Sequence, residues 1–179
     1  ITLIMLSATI DKAENFASWI GNIQQKVTNL IPTTKRVVPL EHFIYQPNTS
    51  SSNFLKKIVS SDGVFHNYNE IKSEYEVISS FKIINSFVEY LKIHNLVPAL
   101  FFIFSRKECE KLAKALQISL VSVEVAGEID KIFNYELRHH KKTYEKSPQY
   151  ITLHKLLLKG IAYHHSGLIP ILKEVIEIL

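Results

Sequence analysis

"ALFFIFSRKECEKLAKAL" occupies residues 99–116, and its reading decides what kind of fold the chain adopts. Ala99 to Phe104 are apolar without interruption. Such a run, with no polar alternation, predicts a strand covered on both faces, the kind found in parallel sheets. Ser105, Arg106 and Lys107 end it. Cys109, Leu112, Ala113 and Leu116 then recur at helical spacing, so an amphipathic helix follows. Strand, polar triplet and helix form the repeating unit of an α/β fold, and in open parallel sheets ligands bind beyond the carboxyl ends of strands, where such triplets stand.

The same unit recurs on both sides. In "LIMLSATI", residues 3–10, the apolar run Leu3–Leu6 meets Ser7-Ala8-Thr9. Ala13, Phe16, Ala17 and Ile20 then mark a short helix, with Asp11 and Glu14 in a capping-box arrangement and Gly21 as its stop. From Tyr150 to the end the pattern predicts helix, strand and helix, the strand Ile161–Tyr163 closing on His164-His165-Ser166-Gly167. Leu168, Leu172, Val175, Ile176 and Leu179 make the last helix's apolar stripe, and Pro170 suits its first turn. Lys26–Tyr45 reads as strand-like but broken by Pro32 and Pro39, as in a connection between two lobes. Gln46–Asn53 reads as a loop. Ser60-Ser61-Asp62-Gly63 predicts a hairpin between Phe54–Val59 and Val64–Tyr68. Phe81, Ile84, Val88 and Leu91 define a helix, and residues 127–146 a charged helix with Ile129, Ile132, Phe133 and Leu137 inward.

With 179 residues, 46% hydrophobic and 21% charged, the chain is long enough for a real core and for one large domain or two small ones. No apolar run approaches the ~18 residues of a membrane span, and the first residues do not resemble a signal peptide. The single cysteine, Cys109, rules out a disulfide framework and suits a reducing compartment. On the stripe with Leu112 and Leu116, it reads as a small hydrophobe rather than a nucleophile. A net charge of +4 permits an anionic partner without demanding one. None of the five glycines opens a phosphate loop or a dinucleotide-binding turn, and none of the three aspartates adjoins a glutamate, so the chain carries no complete nucleotide site of the common kinds.

"LIMLSATIDKAENFASWIG" (3–21), "RVVPLEHFIY" (36–45), "FFIFSRKECEKLAKAL" (101–116) and "KGIAYHHSGLIPILKEVIEIL" (159–179) occur in this order. Together they resemble a superfamily-two DExH-box RNA helicase of the superkiller type, the family whose members feed RNA to the exosome. The likeness is loosest around residues 46–80 and 117–147. It implies RecA-like parallel sheets with flanking helices. Residues 1–36 would be the C-terminal end of the first lobe. Residues 37–179 would be most of the second, with a hairpin or loop insertion at about 46–69 and a helical insertion at about 117–147.

By the same resemblance, the full-length protein would use ATP and Mg²⁺ to drive translocation on RNA and unwinding, in RNA processing or decay. The phosphate loop and acidic motif are expected upstream of Ile1, and the γ-phosphate-sensing arginines beyond Leu179. Arg36, Arg106 and Arg138 match none of those positions. The chain is therefore expected to be a fragment that by itself binds no nucleotide and hydrolyses no ATP. RNA is the implied partner, gripped mainly through its backbone. The resemblance also admits an exosome-like nuclease or adaptor proteins, a nuclear or cytoplasmic location and no membrane.

Ser7, Ala8 and Thr9 match the family's Ser-Ala-Thr, which links the ATP site to the strand-separating surface; small hydroxyls can exchange hydrogen bonds there without steric cost. Ser105, Arg106 and Lys107 match a nucleic-acid-facing segment, where a hydroxyl, a guanidinium and an ammonium at a helix start would hold a phosphate. The plainer alternative is a solvated helix start with Arg106 paired to Glu110. His164, His165, Ser166 and Gly167 match a loop that contacts the RNA backbone, with free N–H groups of the last helix and the Ser166 hydroxyl converging on a phosphate. Packed core histidines are the alternative. A metal site is disfavoured, because neighbouring histidines on a strand point to opposite faces and no carboxylate or cysteine is spaced to complete a set with His154 or His139-His140. His139-His140-Lys141-Lys142 reads as a solvated face or as a basic edge near RNA. Two other readings stand beside the helicase: a non-catalytic nucleic-acid-binding or scaffold protein that retains the lobe, and an unrelated metal hydrolase.

Overall fold

The computed structural model describes residues 3–7, 10–33, 36–47, 54–66, 69 and 80–179. They fall into two units, residues 1–41 and 42–179. The first contains helix α1 (Ala13–Gln24), where Phe16 and Trp19 rest against each other at 5.8 Å. The expected Asp11–Glu14 cap does not form: Lys12 stands at the N-cap with φ 50° and no side-chain cap. Gly21 is not the stop either. The helix runs on to Gln24, and the chain turns back so closely that a Cβ on Gly21 would lie 3.0 Å from the Lys26 carbonyl oxygen, so the glycine serves a close approach.

Leu3–Leu6 has no regular secondary structure and joins no ladder among the described residues, and Leu6 is 95% exposed. The expected strand is therefore not seen within this unit among the described residues. Ala8 and Thr9 lie outside the described residues.

In the second unit, β1 (His42–Tyr45) pairs antiparallel with β2 (Leu55–Val59), with an irregularity between His42 and Phe43. Among the described residues of the stretch 26–45, these four form the strand; Pro32 and Pro39 have no N–H to give a ladder. The expected Ser60–Gly63 turn forms: the Gly63 N–H donates to the Ser60 carbonyl, and Val59 bridges to Phe65. Residues 67–68 of that hairpin lie outside the described residues.

Five helices follow: α2 (Ser80–Ile93), α3 (Arg106–Ala115), α4 (Val123–Glu136), the single turn α5 (Lys141–Tyr144) and α6 (Pro148–Leu157); α7 (Pro170–Ile178) closes the chain. The expected single helix over 127–146 is in fact two. It starts earlier, because the Ser122 hydroxyl accepts the Val125 N–H. It breaks at Leu137, which turns into the core beside Phe133. Continuing it would have stacked Arg138 over Lys142 at i,i+4, a repulsive pair. Ile132, expected inward, is exposed.

The main core gathers Phe133 and Leu137, then Tyr150, Leu153, Leu156 and Leu157 of α6, Ile161, Tyr163 and Leu168, Leu172 and Val175 of α7, and Ala113 of α3. A second cluster joins Ile84 and Val88 of α2 to Leu112 of α3. Helix α3 thus serves both, and Cys109 packs against the first as a part-buried apolar residue. After α6 the chain makes a Schellman cap: the Ile161 N–H reaches the Leu156 carbonyl and the Gly160 N–H that of Leu157, with Gly160 at φ 73°.

The architecture is mixed α/β. Its one sheet among the described residues has two antiparallel strands. Ala99–Phe104 and Ile161–Tyr163, expected as parallel strands, have no regular secondary structure and no ladder partners there. Ile161 and Tyr163 are buried by helix packing, whereas Leu100, Phe102 and Phe104 are exposed.

Candidate nucleic-acid interface

The polar triplet of residues 105–107 and the loop of residues 164–167, 57 to 62 positions apart in sequence by their outermost members, meet in one cleft of about 510 Å³. Its lining is Arg106, Lys107, Glu110, Lys111 and Lys114 from one face of α3, with Gln149, His165 and Gly167 opposite. The other face of α3, with Leu112 and Ala113, is the buried one, so amphipathicity both anchors the helix and turns its cations toward the cleft.

Ser105 caps α3, its hydroxyl accepting the Glu108 N–H at 3.3 Å. It orients the helix start but does not line the cleft. The alternative pairing of Arg106 with Glu110 is not what forms. Glu110 accepts a bond from Lys114 Nζ at 2.8 Å and lies 3.1 Å from His165 Nε2. The Lys114 bond holds the Glu110 carboxyl below its ordinary range, against an opposing push from burial; His165 adds a smaller lowering effect. Lys111 is engaged by Glu108 at 4.0 Å and by the Phe81 ring at 4.1 Å. Arg106 and Lys107 make no ion pair among the described residues, so they are the cations this cleft offers to a visitor.

The histidines part company, as their adjacency predicts. His164 Nε2 lies 3.0 Å from Glu177 on α7, away from the cleft. His165 turns into it, its ring stacked on buried Tyr163 with centroids 5.7 Å apart. Its Nδ1 accepts the Gly167 N–H at 3.1 Å, which leaves Nε2 to carry the proton toward Glu110. Burial, with Glu110 nearby, pushes the Tyr163 hydroxyl upward. His154 goes to a third carboxylate, Asp130, at 2.6 Å. Three histidines on three separate carboxylates make no shared ligand set, and no group of three metal-ligating side chains converges among the described residues.

The expectation of free N–H groups at the start of α7 is corrected. The Gly167 N–H goes to His165 Nδ1, the Leu168 N–H to the His165 carbonyl, and the Ile169 N–H to Gln149 Oε1 at 3.1 Å. Gln149 also donates to the Gly167 carbonyl at 3.0 Å. The loop is a clamped backbone, and Ser166 is exposed beside it. Gly167 is needed for closeness: a Cβ there would lie 3.3 Å from His165 Nδ1 and 3.5 Å from Arg106 Nη1.

Arg106, Lys107, His165 and Gly167 are thus brought together; Ser105, His164 and Ser166 flank them without lining the cleft. Sequence reasoning missed Lys111 and Lys114, although their spacing from Lys107 on one helix face was a usable signal. It also missed Gln149, which no local pattern marks.

No protein-family model matches the chain. Curated proteins do, and several of them are named as RNA helicases. The chain is 31% identical to the exosome RNA helicase MTR4 of Mus musculus and 30% identical to the DExH-box ATP-dependent RNA helicase DExH9 of Arabidopsis thaliana, in each case over 98% of its length. It is 29% identical over its whole length to superkiller complex protein 2 of Mus musculus. Over its whole length the chain is thus similar to superkiller-type DExH-box helicases. It spans 16% to 20% of the length of these relatives.

Proposed function

We propose that this chain is part of an ATP-dependent RNA helicase acting in RNA processing or decay, and that its own contribution is to grip the RNA backbone. The observation that carries this reading is the cleft in which two distant motifs present Arg106 and Lys107 beside a glycine-approached backbone. A guanidinium and an ammonium without carboxylate partners suit phosphate oxygens.

In this reading residues 37–179 form most of a second RecA-like lobe, with insertions at about 46–69 and 117–147, and residues 1–36 the end of a first. The apolar segments 3–6, 99–104 and 161–163 would be strands of parallel sheets. Ser7, Ala8 and Thr9 would couple nucleotide state to unwinding. ATP and Mg²⁺ would be held by other parts of the protein. An exosome-like nuclease or its adaptors, in nucleus or cytoplasm, would be the partners downstream.

The test is the affinity of the chain for short single-stranded RNA over a range of salt. Arg106→Ala and Lys107→Ala should each weaken binding to unrelated sequences alike and lower the slope of log K against log salt by about 0.7. Unchanged affinity and slope in both variants would refute the reading.

A further inference from the structure

Glu110 is the one carboxylate in a lining that otherwise holds four cations. A negative charge facing a phosphate path opposes binding unless it is neutralised or has a partner of its own. It is partly neutralised: Lys114 takes one oxygen and His165 the other. Those two bonds also hold the carboxylate in place, since His165 is itself fixed by the Gly167 N–H. Two bonds do not exhaust it, because an ionised carboxylate has about four acceptor positions. The Glu110 side chain remains 27% exposed, so lone pairs are open to the cleft.

What such an acceptor takes from a nucleic acid is a hydroxyl. Phosphates offer no donor, and base-edge donors vary with sequence, whereas every ribonucleotide offers a 2′-OH and no deoxyribonucleotide does. Glu110 follows Arg106 by four residues, a rise of about 6 Å, so a phosphate at Arg106 and a sugar at Glu110 fit within about one nucleotide of each other. We infer that Glu110 accepts a hydrogen bond from a ribose 2′-hydroxyl and makes the cleft prefer RNA over DNA. This rests on the backbone-gripping reading above.

The experiment compares short oligouridine with its deoxyuridine counterpart, identical except for the 2′-hydroxyls. The unmodified chain should bind the RNA form about fivefold to tenfold more tightly, the worth of one hydrogen bond. Glu110→Ala, which removes both acceptor oxygens, should erase most of that ratio. Arg106→Ala should weaken both forms and leave the ratio intact. A second measurement needs no variant: in oligouridines carrying a single 2′-deoxy position, one position should account for most of the preference. An unchanged ratio in Glu110→Ala, or a preference spread evenly over all positions, overturns the role of Glu110. If Arg106→Ala leaves both affinities unchanged, the backbone-gripping reading itself fails.

Discussion

Residues 99–116 and 160–178 are built to one sequence plan, an apolar run, a polar cluster and a helix, yet they sit differently. In the second, Ile161 and Tyr163 lie beneath helices of the main core, and Tyr163 is only 3% exposed. In the first, Phe101 meets the Phe87 ring and Ile103 packs on the second cluster, but Phe104 is fully exposed. Apolarity states which segments gain from cover; the neighbouring helices decide which are covered. The polar ends nevertheless converge, because α3 is anchored by Leu112 in one cluster and by Ala113 in the other, which sets its charged face against the loop before α7.

The largest effects should separate the two segments by stability. Leu172→Ala, in the fully buried part of α7, should cost about 2–5 kcal/mol, and Phe104→Ala less than about 0.5 kcal/mol, by urea denaturation. Equal losses would break the contrast. Gly160→Ala comes next: its Cβ would lie 2.7 Å from Val121 Cγ1 at a φ of 73°, and about 1–3 kcal/mol should be lost. Ala substitution at Gly63, also at positive φ but with open space around it, isolates the backbone component.

The smallest effect is acid sensitivity across the cleft. The Glu110 carboxyl is lowered when folded, chiefly by Lys114, so its stabilisation is present above the unfolded carboxylate pKa and is lost as pH falls through the folded one. The stability advantage of the unmodified chain over Glu110→Gln should therefore shrink below about pH 4.3. A constant difference down to strongly acid pH would show that the Lys114–Glu110–His165 contacts carry no such linkage.

Much of the helical content was legible in sequence. Phe81–Leu91, the Cys109–Leu116 stripe and Pro170 at a first turn all appear where periodicity and proline chemistry place them. Capping was less legible, because Asp11 and Gly21 carry the right residue types while the chain around them uses Lys12 and Gln25. The pairing of extended segments was not legible at all: an apolar run specifies its wish for cover but not its ladder partner. At the site, the two motifs could be singled out from their residue types. Their meeting, the Gln149 clamp and the His165–Glu110 contact are long-range and have no local signature, whereas the Glu110–Lys114 pair is a local i,i+4 contact.

The central claim is that these two segments make one RNA-backbone site. A double-mutant cycle on short single-stranded RNA, combining Arg106→Ala with Gly167→Ala, tests it most directly, since a Gly167 Cβ would lie in van der Waals contact with the Arg106 guanidinium, 3.5 Å from Nη1. Each change alone should weaken binding, and together they should depart from additivity by at least about 0.5 kcal/mol. Strictly additive losses, or RNA affinity untouched by either change, would contradict a shared site.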